Sequence, residues 1–272
     1  MEKFTRNQRI SIITKVLMEN PNKIVNLNTF TQMFNAAKST VSEDLFIIKD
    51  ILTKLSLGRV DTISGAAGGV KYVSGISKEE SKKFAENLCI NLKNKDRIIP
   101  GNFLYVTDIM CNPQIVQKAA NILFSFFSEK HIDHVITMET KGIPLAYEVA
   151  KLLGVELVIV RRNNKLTEGS TLSINYVSGS SGRVQNMYVS KNSIKPKSKC
   201  IFIDDFMKAG GTALGITNLL KEFESELLGI GVLIDNTDIQ EKLVDDYFSI
   251  VDFKGFDDNN EILVEPSSLF EI

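Results

Sequence analysis

Cysteine is scarce in this chain of 272 residues: Cys89, Cys111 and Cys200 lie far apart, are odd in number and lack metal-ligand spacing. That argues against a disulfide framework and leaves reduced, mostly buried thiols as the expectation. No apolar run approaches the roughly 20 residues that cross a bilayer. The first residues, MEKFTR, lack the apolar core of a signal peptide. A cytoplasmic protein without a membrane partner is expected. Net charge is nearly absent, at −1, so the whole-chain balance says nothing of partners. Internal repeats and low-complexity tracts are missing as well.

What is present is core material, with 43% hydrophobic and 24% charged residues in a length that suits two domains. The charge is unevenly distributed. Residues 1–74 carry 10 Lys/Arg against 6 Asp/Glu, and the remainder carries 22 against 27. A basic first part joined to an acidic remainder hints that the first part meets a polyanion.

Ile10, Ile13, Val16 and Leu17 recur at helical spacing before Pro21. A second short helix is expected over 27–34, capped by Asn26 or Asn28. A third starts near Lys38, Ser39 and Thr40, buries Val41, Leu45, Ile48, Ile51, Leu52 and Leu55, and is expected to stop at Gly58. Residues 59–63 and 70–73 then read as two strands around the glycine-rich turn 64–69. Three helices and a hairpin are the order of a winged helix-turn-helix, assigned to residues 1–74, with 75–272 as the second domain. In such a module the third helix enters the major groove by its first turn, presenting Lys38, Ser39, Thr40 and Ser42. Arg59 and Lys71 would lie against the backbone or in the minor groove, and Arg6 and Arg9 would add phosphate contacts. The alternative is a solvated charged face on a dimerisation or protein-binding wing.

Beyond residue 100 strands and helices alternate. Strands are expected over 134–138, 156–160, 200–203 and 227–234, and helices over 143–153, closed by Gly154, and 212–223. This predicts an α/β domain with a mostly parallel sheet. The polar stretch 161–191, with Gly169, Gly179 and Gly182, reads as a mobile lid or a pair of exposed strands.

The most informative string is CIFIDDFMKAGGT, residues 200–212. An apolar strand delivers Asp204 and Asp205 at its C-terminal end, where open α/β sheets bind ligands. Phe206, Met207, Lys208 and Ala209 form the turn. Gly210 and Gly211 let the backbone approach a phosphate, and the helix start adds unpaired N–H groups and the Thr212 hydroxyl. The acids suit ribose hydroxyls rather than the phosphate. Such a site takes a ribose phosphate; the plainer reading is a buried strand ending in a solvated polar turn.

This string resembles the phosphoribosyl-pyrophosphate motif of type I phosphoribosyltransferases. Residues 99–109 resemble the entry segment of adenine and xanthine phosphoribosyltransferases. The segment ETKG, with Thr140, Lys141 and Gly142, stands where that family places its pyrophosphate loop. Arg161 and Arg162 end the next strand, and Lys165 begins a segment matching the family's flexible loop. The resemblance implies that these cations neutralise a pyrophosphate, with Mg²⁺; taken alone, Arg161 and Arg162 are also an ordinary charged strand end. Tyr105 and Phe206 are candidates to stack on a base, with core packing as the other reading and the favoured one for Tyr105.

With the wing, KGIPLAY (141–147), TEGST (167–171) and DFMKAGGT (205–212), the chain resembles the purine operon repressors of Gram-positive bacteria over nearly its full length. That resemblance implies a homodimer that binds double-stranded operator DNA. It implies repression of purine synthesis and transport genes, relieved by phosphoribosyl pyrophosphate, with a guanosine polyphosphate as a competitor for the pocket. Lys208 and Ala209 stand where enzymes of this class often carry Thr, which removes a hydroxyl and adds a cation. The expectation is therefore a regulator without catalytic residues; the alternative is an active purine phosphoribosyltransferase carrying a DNA-binding domain.

Overall fold

A computed structural model describes residues 3–65, 68–101, 103–177, 182–239 and 241–270. Ala66 and Ala67 of the glycine-rich turn, and Gly179, lie outside them. The chain divides into two compact units, residues 1–77 with 151–154 and residues 78–150 with 155–272. No helix of the described residues is long and apolar enough to cross a membrane.

The first unit contains α1 (Arg6–Glu19), β1 (Ile24–Val25), α2 (Leu27–Phe34), α3 (Lys38–Lys54), β2 (Gly58–Ile63) and β3 (Gly69–Ser74). Local chemistry sets its boundaries. Thr5 and Gln8 form a capping box at α1, and the Asn26 side chain accepts from the Asn28 amide at α2. Ile13, Leu17, Phe30, Phe34, Val41, Leu45, Ile48 and Leu52 close one core with Val60, Val70 and Tyr72 of the hairpin. These are the parts of a winged helix-turn-helix.

Two expectations for α3 need correction. Ile51 and Leu55 are not buried: they are 49% and 61% exposed, because Ile51 flanks the apolar stripe and Leu55 stands past the last turn. Nor does Gly58 stop the helix. Ser56 does, in the left-handed region at φ 54°, while the amides of Ser56 and Leu57 return to the carbonyls of Thr53 and Leu52. That is a Schellman closure made with serine. The hairpin also gains a third strand, since β1 pairs antiparallel with β3. Two residues are too few to show a period.

The second unit runs α4 (Lys78–Leu92), β4 (Ile98–Ile99), β5 (Phe103–Leu104), α5 (Thr107–Met110), α6 (Pro113–Phe127), β6 (His134–Met138), α7 (Ile143–Leu153), β7 (Glu156–Val160), β8 (Thr171–Val177), β9 (Val184–Ser190), β10 (Lys199–Met207), α8 (Gly211–Lys221), β11 (Glu226–Asn236), β12 (Tyr247–Phe256) and β13 (Ile262–Pro266). Its sheet has the order β13-β12-β11-β10-β6-β7 and is parallel except for the β12–β13 pair. Phe127 of α6 lies against Gly229 and Gly231 of β11. Another core joins α8 residues such as Ile216 and Leu219 to Phe202, Val158 and Val232 of the sheet.

The stretch 161–191 is a pair of strands, β8 and β9, paired antiparallel. They are not simply exposed, because Tyr176, Met187 and Val189 are buried in the same core as α8. β10 extends beyond the expected 200–203 and carries both acids within the strand.

Candidate functional site

The sheet order itself selects a place for a ligand. From β6 the chain crosses by α7 to the edge strand β7, whereas from β10 it crosses by α8 the other way to β11. The strand order therefore reverses between β6 and β10, and a crevice opens at their C-terminal ends. A cleft of about 380 Å³ lies there, lined by every residue from Asp204 to Thr212 and by Lys141 and Arg162.

Asp204 accepts from the Asp205 amide at 2.9 Å. Burial, then the neighbouring Asp205 carboxylate, push its carboxyl well above the usual carboxylate range, and Arg162 only partly opposes them. Gly142 abuts this acid: a Cβ there would lie 2.3 Å from Asp204 Oδ1 and 2.7 Å from Thr137 Oγ1. Thr137 Oγ1 is itself buried without a hydrogen-bond partner. Gly142 thus acts from behind Asp204 rather than from the cleft wall. Thr140 also stays out of the cleft lining, and its peptide bond with Glu139 is cis.

After the acids comes a loop with unspent amides. Gly210 sits at φ 80°, a conformation that favours glycine, and caps α8 with no side-chain hydrogen bond. Among the described residues, no acceptor is found for the backbone N–H groups of Ala209 and Gly210. Gly211 and Thr212 open the helix, where N–H groups have no intrahelical partner. Free amides at a helix start are the kind of group that suits an anion.

The remaining expected residues separate. Arg161 turns away from the cleft, with Nε 2.7 Å from Glu168 and Nη1 3.3 Å from Glu139. Lys165 lines a different depression beside Arg161 and Glu168. Tyr105 is outside the cleft lining and is 41% exposed, so core packing does not describe it. Phe206 does line the cleft, near Phe253 at a ring separation of 6.2 Å.

Sequence reasoning missed other walls. Phe103, Val106, Asn236 and Phe253 line the cleft, although only the segment 99–109 carried any signal. Behind the loop, Lys242 Nζ donates to Lys208 O, Asn236 O and Asp235 Oδ1, each at 2.6 Å. Tyr247 Oη donates to Asp235 Oδ2 at 2.8 Å. Burial and that carboxylate push the Tyr247 phenol up. No helix or strand period announces these residues, and the Lys242 contact that reaches the loop spans 34 positions.

In the first unit, the α3 start is exposed and chemically free. Ala37 caps it without a side-chain hydrogen bond, and Lys38, Ser39 and Ser42 are exposed, with Thr40 partly so. Arg9 is committed elsewhere: its Nε lies 2.7 Å from the buried Asp44, and its Nη1 donates to Phe4 O. Arg6 borders Glu43 and Asp44 at 3.4 Å, and Arg59 lies 3.2 Å from Asp61 on the same strand. Lys71 is half-buried on β3, in register with Asp61.

A winged helix joined to an α/β domain with two acids and a glycine turn at the strand-order reversal defines a class: DNA-binding proteins built on a phosphoribosyltransferase fold. Two family models match, "Bacterial purine repressor, N-terminal" over residues 5–74 and "Phosphoribosyl transferase domain" over residues 106–271. The chain is 47% identical over 249 residues to the purine biosynthesis transcriptional repressor PurR of Bacillus subtilis, covering 92% of this chain and 87% of that protein. It is 40% identical over 266 residues to the purine biosynthesis transcriptional activator PurR of Lactococcus lactis, covering 97% and 98%. The adenine phosphoribosyltransferase structure from Thermoanaerobacter pseudethanolicus matches with a TM-score of 0.54 at 18% identity, covering 61% of this chain and 99% of that one. That likeness concerns the fold alone. The chain belongs to the PurR family of bacterial purine biosynthesis regulators.

Proposed function

We propose that this chain represses purine synthesis and transport genes by binding operator DNA, and that phosphoribosyl pyrophosphate in the cleft relieves the repression. DNA-binding transcriptional regulation follows from membership in the PurR family. Repression is preferred to activation because the B. subtilis relative is described as a repressor. The protein works in the cytoplasm as a homodimer, since a twofold dimer offers two α3 helices to two half-sites.

The observation that carries the ligand assignment is that two acids and the loop with free amides line one cleft. Asp204 and Asp205 accept from ribose hydroxyls, and the amides of residues 209–212 receive the 5′-phosphate. Lys141 and Arg162 supply positive charge for the pyrophosphate. Among the described residues no three His, Cys, Asp or Glu side chains converge as a metal site. Mg²⁺ would supply charge neutralisation to the pyrophosphate, and Asp204 and Asp205 are the cleft carboxylates that would hold it. A guanosine polyphosphate offers the same ribose and 5′-phosphate and competes for the cleft.

Ligand and DNA favour different states of the dimer, so each weakens the other by the same factor. Catalysis would further require a base held against C1 of the ribose, and Ala209 leaves the loop without a side-chain hydroxyl at that position. The chain senses the ligand without turning it over. An active transferase is the second reading, favoured by the aromatic pair Phe206 and Phe253 at the cleft.

One titration separates them. Operator DNA binding is followed at fixed salt as phosphoribosyl pyrophosphate and Mg²⁺ are added, with purine base and nucleotide product monitored in the same samples. Release of DNA without product is the expected result. Product formation with unchanged DNA affinity overturns the sensor reading in favour of the enzyme.

A further inference from the structure

The segment 241–246 backs the phosphate loop from the side away from the cleft. Lys242 Nζ takes Lys208 O at 2.6 Å, and the Leu243 amide donates to Ala209 O at 2.9 Å. Among the described residues the one cis peptide is Glu139–Thr140, so the 208–209 and 209–210 peptides are trans. In a trans peptide the carbonyl and the following N–H point in opposite directions. Tying down the carbonyls of Lys208 and Ala209 therefore aims the amides of Ala209 and Gly210 away from the strap. Those two amides lack an acceptor among the described residues.

Lys242 is an expensive way to hold a loop unless its charge is matched. Its side chain is 11% exposed and its partner Asp235 is 3% exposed. Asp235 is in turn held by Tyr247, and Lys242 also takes the carbonyl of Asn236, at the end of β11. The three donor directions of the ammonium are thus used on two backbone carbonyls and one carboxylate, a satisfied buried pair rather than an exposed one. Val244 Cγ2 closes the same side, 3.0 Å from where a Cβ on Gly210 would stand.

We propose that Lys242, held by Asp235 and Tyr247, is a positioning residue that orients the loop amides for a 5′-phosphate. It touches no ligand; it acts through the carbonyl of Lys208. The inference rests on the cleft being a ribose-phosphate site.

The test uses the full chain and two small probes. Lys242→Met keeps the length of the stem and removes the donor. It should weaken ribose 5-phosphate and phosphoribosyl pyrophosphate about tenfold, the scale of one lost hydrogen bond to a charged donor. Binding of inorganic pyrophosphate with Mg²⁺, seated toward Lys141 and Arg162, should stay unchanged. Tyr247→Phe, a milder change, should give the same split at about twofold and decides the matter if Lys242→Met does not fold. Equal weakening of all probes, or none, overturns the positioning role. Failure of the wild-type chain to bind either ribose phosphate instead removes the ribose-phosphate reading, and this inference with it.

Discussion

At the end of β10 the charged groups are half-buried, crowded and braced; at the start of α3 they are exposed and uncommitted. Asp204 is pressed against Asp205 and Gly142, and the loop that follows is tied by Lys242. Lys38, Ser39 and Ser42 stand in water with no cap to maintain. The contrast fits the two partners proposed above. A small anion must find its donors already aimed, because reorganising them on binding would consume the energy the contacts provide. A DNA duplex brings many phosphates and is met by side chains that choose their rotamers on contact. The first unit invests its buried charge in the Arg9–Asp44 pair, which joins α1 to α3 beneath the exposed face.

The largest expected effect that sharpens this contrast is on the cleft. Replacing both Asp204 and Asp205 by alanine should weaken phosphoribosyl pyrophosphate by about a hundredfold or more, two charge-assisted contacts being lost. Operator affinity without ligand should be spared. Loss of operator binding by a folded double variant would place the acids in the DNA mechanism and dissolve the comparison.

Next comes the brace of the first unit. Arg9→Ala leaves Asp44 buried beside only the more distant Arg6, and should cost about 2–4 kcal/mol in a denaturant titration of that unit. An unchanged midpoint would mean that the pair is not what holds α1 to α3.

A smaller change is expected on the exposed face. Lys38→Ala should weaken DNA binding about tenfold, with phosphoribosyl pyrophosphate affinity unaltered. If Lys38 meets a phosphate, the salt dependence should also fall by about one charge. Equal affinity at all salt concentrations would remove Lys38 from the interface.

The smallest effect is on stability, and its sign is opposite to the others. The Asp204 carboxyl is raised, by burial and then by Asp205, so the ligand-free fold binds its proton more tightly than the unfolded chain does. This contribution is full below the ordinary carboxylate range and is lost as pH rises through the raised value. Asp204→Asn does not titrate, so it should raise the melting temperature of the ligand-free protein, more at about pH 7.5 than at about pH 4. A gap between variant and wild type that widens on acidification would refute the crowded-acid account.

How much of this was legible follows the spacing of the contacts. The string 200–212 announced its acids, glycines and helix start in order, and the cleft is lined by the nine consecutive residues 204–212. The three helices and hairpin of the first unit were equally readable, since their apolar residues repeat at helix and strand periods. Arg161 and Arg162 show where such reading stops. They are neighbours of like charge on one strand end, yet Arg162 lines the cleft and Arg161 pairs with Glu139 and Glu168. Both stand past the end of β7, where no strand period fixes a direction, so only the acids packed around them decide which one reaches the cleft.

By itself, then, the sequence determined the two kinds of unit, the order of their elements and the strand-to-turn-to-helix string at the cleft, because each depends on residues near one another in the chain. The tertiary structure alone decided that Gly142 must stay small beneath Asp204, that Arg9 serves Asp44 and that Lys242 reaches Lys208. Those are contacts between segments brought together by sheet order and packing, and a pattern of local periods carries no record of them.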